Sequence, residues 1–393
     1  ESGHVWAAWL DKVVNGGSGI EWSYDGTYGV YYTDPADVPY RSTLFEDCDE
    51  GASGLPVLKR TLEGTEDPGA LYAGEFCEYD PGSGTLLYLN PNHAGDPTDR
   101  IFQAGYGYRF AIGRSKHVVF QNCNFYDTGF SAEVDSSTNT DIPVATYITW
   151  DGTTITYTPG TMVTVYADHD HWTVKDCHFE QAGNGVYLVG TYGRAYYLTV
   201  KDSTFIGMGD MWGSDGDAHA VGIQGGEHHL IEGNSVDGSG SAIEFWVGAT
   251  GTMKNNTIRY NFIKNATVHY TSGSGVVISG SHPEVSGKGL RENHQIYYNI
   301  VANCEGAGYG ENAIDEVTFY NNVTYSCGDD GFTAWTRDAG PYWKGAGNIV
   351  IDPTNQYAFF SNGHATTDWS LDWDYNLYYT AGGASDFYHR DYG

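Results

Sequence analysis

Asn293-His294-Gln295-Ile296-Tyr297-Tyr298-Asn299-Ile300-Val301 and, one period later, Phe319-Tyr320-Asn321-Asn322-Val323 carry the phrase that decides the fold. A short alternating run meets a tight polar break, and an Asn then opens a fresh apolar run. The core of the phrase is a small or polar residue, any residue, then an apolar one. It recurs at Cys123-Asn124-Phe125, Cys177-His178-Phe179, Ser203-Thr204-Phe205, Asn234-Ser235-Val236, Asn261-Phe262-Ile263, Asn299-Ile300-Val301, Asn322-Val323-Thr324, Asn348-Ile349-Val350 and Asn376-Leu377-Tyr378. Successive steps are 54, 26, 31, 27, 38, 23, 26 and 28 residues. Self-similarity at roughly 20 to 50 residues marks a solenoid or a propeller. Each repeat holds short period-2 strands and no convincing helix, so the unit reads as one coil of an all-β, single-stranded, right-handed parallel β-helix.

The Asn column supports the solenoid over the propeller. Equivalent positions of a β-solenoid stack about 4.8 Å apart. Side-chain amides at that spacing can bond up and down a column and satisfy a tight, buried turn. Propeller blades do not require an Asn in register in every unit.

Composition agrees with one long solenoid. The 393 residues include 53 Gly and 32 Tyr, and only 18% are charged. Gly supplies the corners between strands. No run of about 18 apolar residues is present, so no membrane span is expected. No signal peptide is visible, and Glu1 reads as the start of a mature or trimmed chain. The net charge of -31 repels a phosphate backbone, which argues against a nucleic-acid partner. It suits a secreted, extracellular protein. It sits awkwardly with a uronate-rich substrate unless cations bridge the charges.

The six cysteines fall partly into register. Cys123 and Cys177 share a column, and Cys304 and Cys327 each follow a ladder Asn by five residues. Stacked coils bring such pairs within disulfide range, with Cys48 and Cys77 left as a third pair, but small buried thiols stack equally well.

Two segments depart from the repeat. Residues 1–105 lack the ladder phrase and are rich in Asp, Pro and Tyr. Within them Phe76–Asn90 reads as two strands about a turn, and the whole segment as a β-rich cap or lateral element before the solenoid of 106–393. The 54-residue step holds Thr146–Trp150, then Asp151-Gly152, then Thr153–Tyr157, which reads as a hairpin insertion over about 131–159.

Aligning the strand that each coil repeats exposes the candidate site. The inward positions are Val186/Leu188, Val221/Ile223, Ile243/Phe245, Val276/Ile278 and Phe332/Ala334. The outward lanes then bring together Tyr187, Gln224, Trp246, Tyr309 and Trp335 as substrate-binding groups, with Arg337 beyond them to clamp a carboxylate. A preceding lane of Gly and Ala reads as an open floor. Aromatic rings beside carboxylates and amides suit a sugar chain.

Hydrolysis of a glycosidic bond takes two carboxyl groups. Glu244 and Glu311 are the best outward pair, with Cα atoms expected about 12 Å apart, a reach that suits inversion. Asp215, Asp217 and His219 at one strand entry, and Asp330 at another, are the further catalytic candidates. His117, His171 and His228 each stand six residues before a ladder position, so they read as a structural column and not as metal ligands. No metal site or required cofactor is expected; calcium on surface carboxylates is the one cation the composition suits.

The ladder coils over about residues 105–380 resemble the right-handed parallel β-helix proteins of the pectin-lyase-like superfamily. Gly74–Asp80 with Leu87-Tyr88-Leu89 is similar to a β insert found in several glycoside hydrolases of this fold. The resemblance implies an extracellular carbohydrate-active protein with a polysaccharide partner, and it fixes no reaction. Asp329-Asp330 is similar to the paired Asp of polygalacturonases, but Asn139-Thr140-Asp141 lies about 190 residues away and no Gly-His-Gly follows. The expectation is an inverting glycoside hydrolase. A polysaccharide lyase, including one built on His219 and Tyr309, is the second reading. A non-catalytic, tailspike-like binding solenoid is the third.

Overall fold

The computed structural model describes the strand segments 12–15, 23–33, 43–46, 57–60, 75–79, 86–90, 101–105 and 108–111. It then describes residues 116–126, 128–131, 146–166, 170–189, 195–209, 218–247, 251–267, 273–280, 291–312, 316–328, 330–334, 342–353, 357–364, 370–379 and 386–392.

From residue 116 onward the chain coils as a parallel β-helix. A ten-stranded parallel sheet, here face A, takes one strand from each coil, among them Thr173–Lys175, Thr199–Lys201 and Leu230–Glu232. After a one-residue corner the chain enters face B, bends again into face C, and returns to face A one coil higher. Faces B and C are continuous within one 19-stranded sheet. The three faces enclose a core of stacked like residues, such as Phe179 on Phe205 at 4.9 Å.

The ladder residue sits just inside the corner from face A to face B. Asn234, Asn261, Asn299, Asn322 and Asn348 are each almost fully buried. Each donates from Nδ2 to the Oδ1 of the next, over 2.9–3.1 Å along the column that ends at Asn376. The same Oδ1 accepts the backbone N–H of the previous ladder residue, as Asn299 does from Asn261 at 3.0 Å. One side chain thus satisfies both a neighbour's amide and a backbone donor that the turn would strand.

The hairpin expected over 131–159 is instead a tenth coil. Thr149–Asp151 pairs in parallel with Val119–Gln121 on one side and Thr173–Lys175 on the other. Gly152, at φ +59°, makes the corner. Thr153 takes the ladder position, fully buried, with its hydroxyl donating to the Phe120 carbonyl at 3.2 Å. Asp-Gly serves a solenoid corner as well as it serves a hairpin, because both need a left-handed residue. Cys123 and Cys177 are therefore two coils, about 9.6 Å, apart and cannot pair. Cys304 and Cys327 do lie in adjacent coils, as free thiols, and Cys123 and Cys177 are free as well. The side chains of Cys48 and Cys77 lie outside the described residues.

The N-terminal strands form an eight-stranded, mainly antiparallel sheet of their own. The strands read between Phe76 and Asn90 are present as an antiparallel pair, Phe76 opposite Leu89.

Candidate functional site

Face C carries the site because its strands alternate cleanly where the pocket lies. In Ile243–Val247 the side chains of Ile243, Phe245 and Val247 are buried, and Glu244 and Trp246 are turned outward. The register aligns Tyr187 with Gly222 and Glu244, and Gln224 with Trp246. Together with His219 these residues line a pocket of about 210 Å³.

His219 stands just before the strand Val221–Gln224 and is only 2% exposed. Its backbone N–H donates to Asn184 Oδ1 at 2.7 Å. Its Nδ1 lies 2.9 Å from the Ser241 carbonyl. A carbonyl can only accept, so Nδ1 carries the proton and Nε2 is left to face Glu244 Oε2 at 3.8 Å. That distance suits an ion pair and exceeds a hydrogen bond, so a proton crosses it only through a small closure or a bridging hydroxyl.

Tyr187 lies parallel to the His219 ring, at 5.8 Å and 4°. Its ring covers Gly222. A Cβ at that position would sit 2.5 Å from Tyr187 Cε2 and 2.8 Å from His219 Cδ2, so only glycine leaves room for the stack. Gln224 Nε2 donates to the Tyr187 hydroxyl at 2.7 Å. The other end of that amide, Oε1, is buried with no partner in the protein, so the Tyr187 bond is what holds this side chain. Glu244 Oε1 is 3.4 Å from Ser279 Oγ, a weak contact that leaves the carboxylate available.

The fold thus brings together Glu244, His219, Tyr187, Gln224 and Trp246 of the sequence candidates. Three expectations fail. Tyr309 is not outward: it pairs with Val276 and Phe332 in the inward lane, is fully buried, and donates its hydroxyl to the Asn299 carbonyl at 3.2 Å. Burial pushes its phenol well above the usual tyrosine range. Glu311 shifts with it, pairing with Ile278 and Ala334 and not with the lane of Trp246. Gly306, Gly308 and Gly310 remove the apolar alternation that sets a register, and the observed pairing of Val276 with Tyr309 lies one residue from the expected one. The Gly/Ala lane is no open floor. A Cβ at Gly185 would meet Phe205 Cδ1 at 2.7 Å and one at Gly308 would meet Thr324 Cγ2 at 2.6 Å, so the lane is small because core side chains press on it.

Asp330 is present but distant. It occupies the lane of His219 and Ser241 three coils beyond Ser241, is 5% exposed, and accepts from Thr333 Oγ1 at 3.1 Å. Asp215, Asp217, Trp335 and Arg337 lie outside the described residues. Glu244 is the one carboxylate, among the described residues, that lines the pocket. Among the described residues no three His, Cys, Asp or Glu side chains converge on one point. His117, His171 and His228 form, with Tyr147 and Tyr197 between them, an outer column of stacked rings 4.7–5.1 Å apart. Tyr147 and Tyr197 also stand six residues before ladder positions, Thr153 and Ser203, so the column alternates His and Tyr through five coils.

This architecture defines a right-handed parallel β-helix. Residues 192–346 match the family described as "Right handed beta helix region", a stretch that holds six of the ten face A strands. Among solved structures, a periplasmic alginate epimerase aligns with 67% of this chain and 69% of its own, at 12% identity and a TM-score of 0.35. A glycoside hydrolase covers 93% and 74%, at 10% identity and 0.41. The tailspike protein of an E. coli bacteriophage, solved with a pentasaccharide, covers 70% and 71%, at 12% identity and 0.34. No curated protein gives a significant match. No helix among the described residues is long and apolar enough to cross a membrane.

Proposed function

We propose that this protein is a secreted glycoside hydrolase that cleaves an uncharged polysaccharide laid across face C. The observation that carries the reading is the pocket wall itself: Glu244 with Tyr187, Gln224 and Trp246, and no Lys or Arg among its described residues. A uronate would meet the Glu244 carboxylate there with no Lys or Arg among the described lining residues to offset it, on a chain of net charge -31. A neutral pyranose meets aromatic rings and a side-chain amide there.

In this reading Glu244 protonates the glycosidic oxygen as the bond to the anomeric carbon breaks. A second carboxylate takes a proton from the water that attacks the opposite side, and inversion follows. Asp215 or Asp217, just before His219 in the chain, would supply it. His219, held by Ser241 with Nε2 toward Glu244, would return the proton to the acid after each turnover.

The test is a product assay on neutral and acidic polysaccharides that records reducing ends and absorbance near the unsaturated-uronate band. Reducing ends from a neutral glycan without absorbance support the hydrolase. Absorbance rising with reducing ends would instead support β-elimination, a second reading favoured by one observation: the His219 and Tyr187 rings lie parallel, 5.8 Å apart, so a base and an acid share one wall of the pocket.

A further inference from the structure

The corner from face A to face B is built ten times from the same positions: a residue in the left-handed conformation, the buried ladder residue, and an outward residue that opens face B. In the first five coils the left-handed residue is Asn122, Gly152, Asp176, Asp202 or Gly233. These are the types that tolerate that backbone. In the last five it is Tyr260, Tyr298, Asn321, Gly347 or Tyr375, with the tyrosines at φ +58°, +57° and +54°. The outward neighbour changes with it, from Thr204 and Ser235 to Phe262, Ile300 and Leu377. Same fold position, same backbone, opposite chemistry.

A bulky residue held in the left-handed region is disfavoured; Tyr147 and Tyr197 hold it too, but inside the continuous ring column described above, whereas the tyrosines of this corner stand in an interrupted one. The rings are not hidden in exchange: Tyr375 is 85% exposed and Leu377 60%. Tyr260 and Tyr298 stack at 5.2 Å and 5°, so they stand as steps along the solenoid axis. Beyond Tyr298 the column drops to Asn321, whose side chain lies over the site where a Cβ of Gly347 would be, and rises again at Tyr375. The result is an aromatic rail with an amide-floored notch. The buried Asn ladder directly beneath fixes every step.

Size and charge choose the occupant. Five coils at about 4.8 Å and a width of two alternate residues plus the corner give roughly 24 by 13 Å, about 300 Å². A stable second copy of the chain would need about 800 Å² on each side, so the patch is too narrow for one. No acidic residue stands at these corner or neighbour positions in the last five coils, although the chain carries -31. Tyr260 and Tyr298 cover one another's facing sides, so the surface on offer is the far side of Tyr298, the exposed Tyr375 and the Asn321 amide between them, which suit a single neutral sugar chain.

We infer that this corner is a second glycan-binding track, separate from the face C pocket, which holds a neutral polysaccharide through Tyr260, Tyr298 and Tyr375. The choice of a sugar rests on the function proposed above; the track itself does not need Glu244 to be catalytic. The test uses the full chain in native gels cast with galactomannan, xyloglucan or a soluble β-glucan. It compares the wild type, Glu244→Gln and the triple variant Tyr260→Asn, Tyr298→Asn, Tyr375→Asn. Asn is what other coils place at this corner, so the triple variant should melt no lower than the wild type. We expect at least a fivefold loss of retardation in the triple variant on a glycan that retards both other proteins, with its turnover of short oligosaccharides unchanged. Equal retardation of all three proteins, or none of any, would overturn the track. So would a triple variant that light scattering shows to have dropped from oligomer to monomer, which would make the corner a self-association face. Retained turnover in Glu244→Gln would sink the hydrolase mechanism and leave the gel result to stand by itself.

Discussion

Glu244 and His219 face one another at 3.8 Å, and the imidazole is locked from behind by the Ser241 carbonyl. The lock matters more than the distance. It fixes the tautomer, so the nitrogen facing the carboxylate is the one able to take or return its proton.

Glu244→Gln should therefore keep the shape and lose the chemistry. We expect kcat to fall about 10²- to 10⁴-fold, the range of a lost general acid or base, with glycan retention preserved. A variant with turnover within threefold of the wild type would remove Glu244 from the mechanism.

Gly222→Ala tests whether the Tyr187–His219 stack is needed. The added methyl would press on both rings, so one must move. Overpacking of this kind costs about 1–3 kcal/mol, and it should also release the Gln224–Tyr187 bond of 2.7 Å. The expected result is a lower melting temperature together with weaker glycan binding. Unchanged values of both would mean that the stack yields freely.

Much of this site was legible in the sequence, and the limits have physical causes. Tyr187, Gln224, Glu244 and Trp246 were readable because Val186, Ile223, Ile243 and Phe245 alternate with them without a break. Tyr309 and Glu311 were misread because Gly306, Gly308 and Gly310 carry no face preference. The coil of Thr153 was hidden because its Asp151-Gly152 corner, set between two alternating runs, looks like a hairpin turn. The partnership of His219 with Ser241 was not readable at all. It runs through a backbone carbonyl, which leaves no trace in side-chain identity.

Stability should fall as the solution is acidified below neutrality. His229 and His294 are fully interior, and burial lowers their pKa to about 4 and about 3. Unfolded, each would titrate near 6.5. The folded state therefore resists protons that the unfolded chain accepts. The stabilisation is complete above about pH 6.5 and is lost as pH falls toward 4, on the order of 3 kcal/mol for each. Melting curves from pH 7.5 to 4.5 should show the decline, and His294→Gln should flatten it. A flat profile in the wild type would mean that water reaches these rings.

The ladder should be weakest where it is most fully bonded. Asn299 accepts from the N–H and the Nδ2 of Asn261 at 3.0 and 2.9 Å, and it donates to the Ile258 carbonyl at 3.0 Å and to Asn322 Oδ1 at 3.1 Å. Asn299→Ala leaves at least two buried donors of Asn261 without acceptors, each costing about 1–3 kcal/mol. Asn376 ends the column and is only half buried, so water can replace what its truncation removes. We expect Asn299→Ala to lower the denaturant midpoint clearly more than Asn376→Ala. Because each coil contacts only its neighbours, the damage should appear as a separate early transition over the flanking coils. Hydrogen exchange would locate that transition at Ile258–Ile263 and Asn322–Tyr325. Equal midpoints for the two variants would show that the Asn column records the repeat without holding it together.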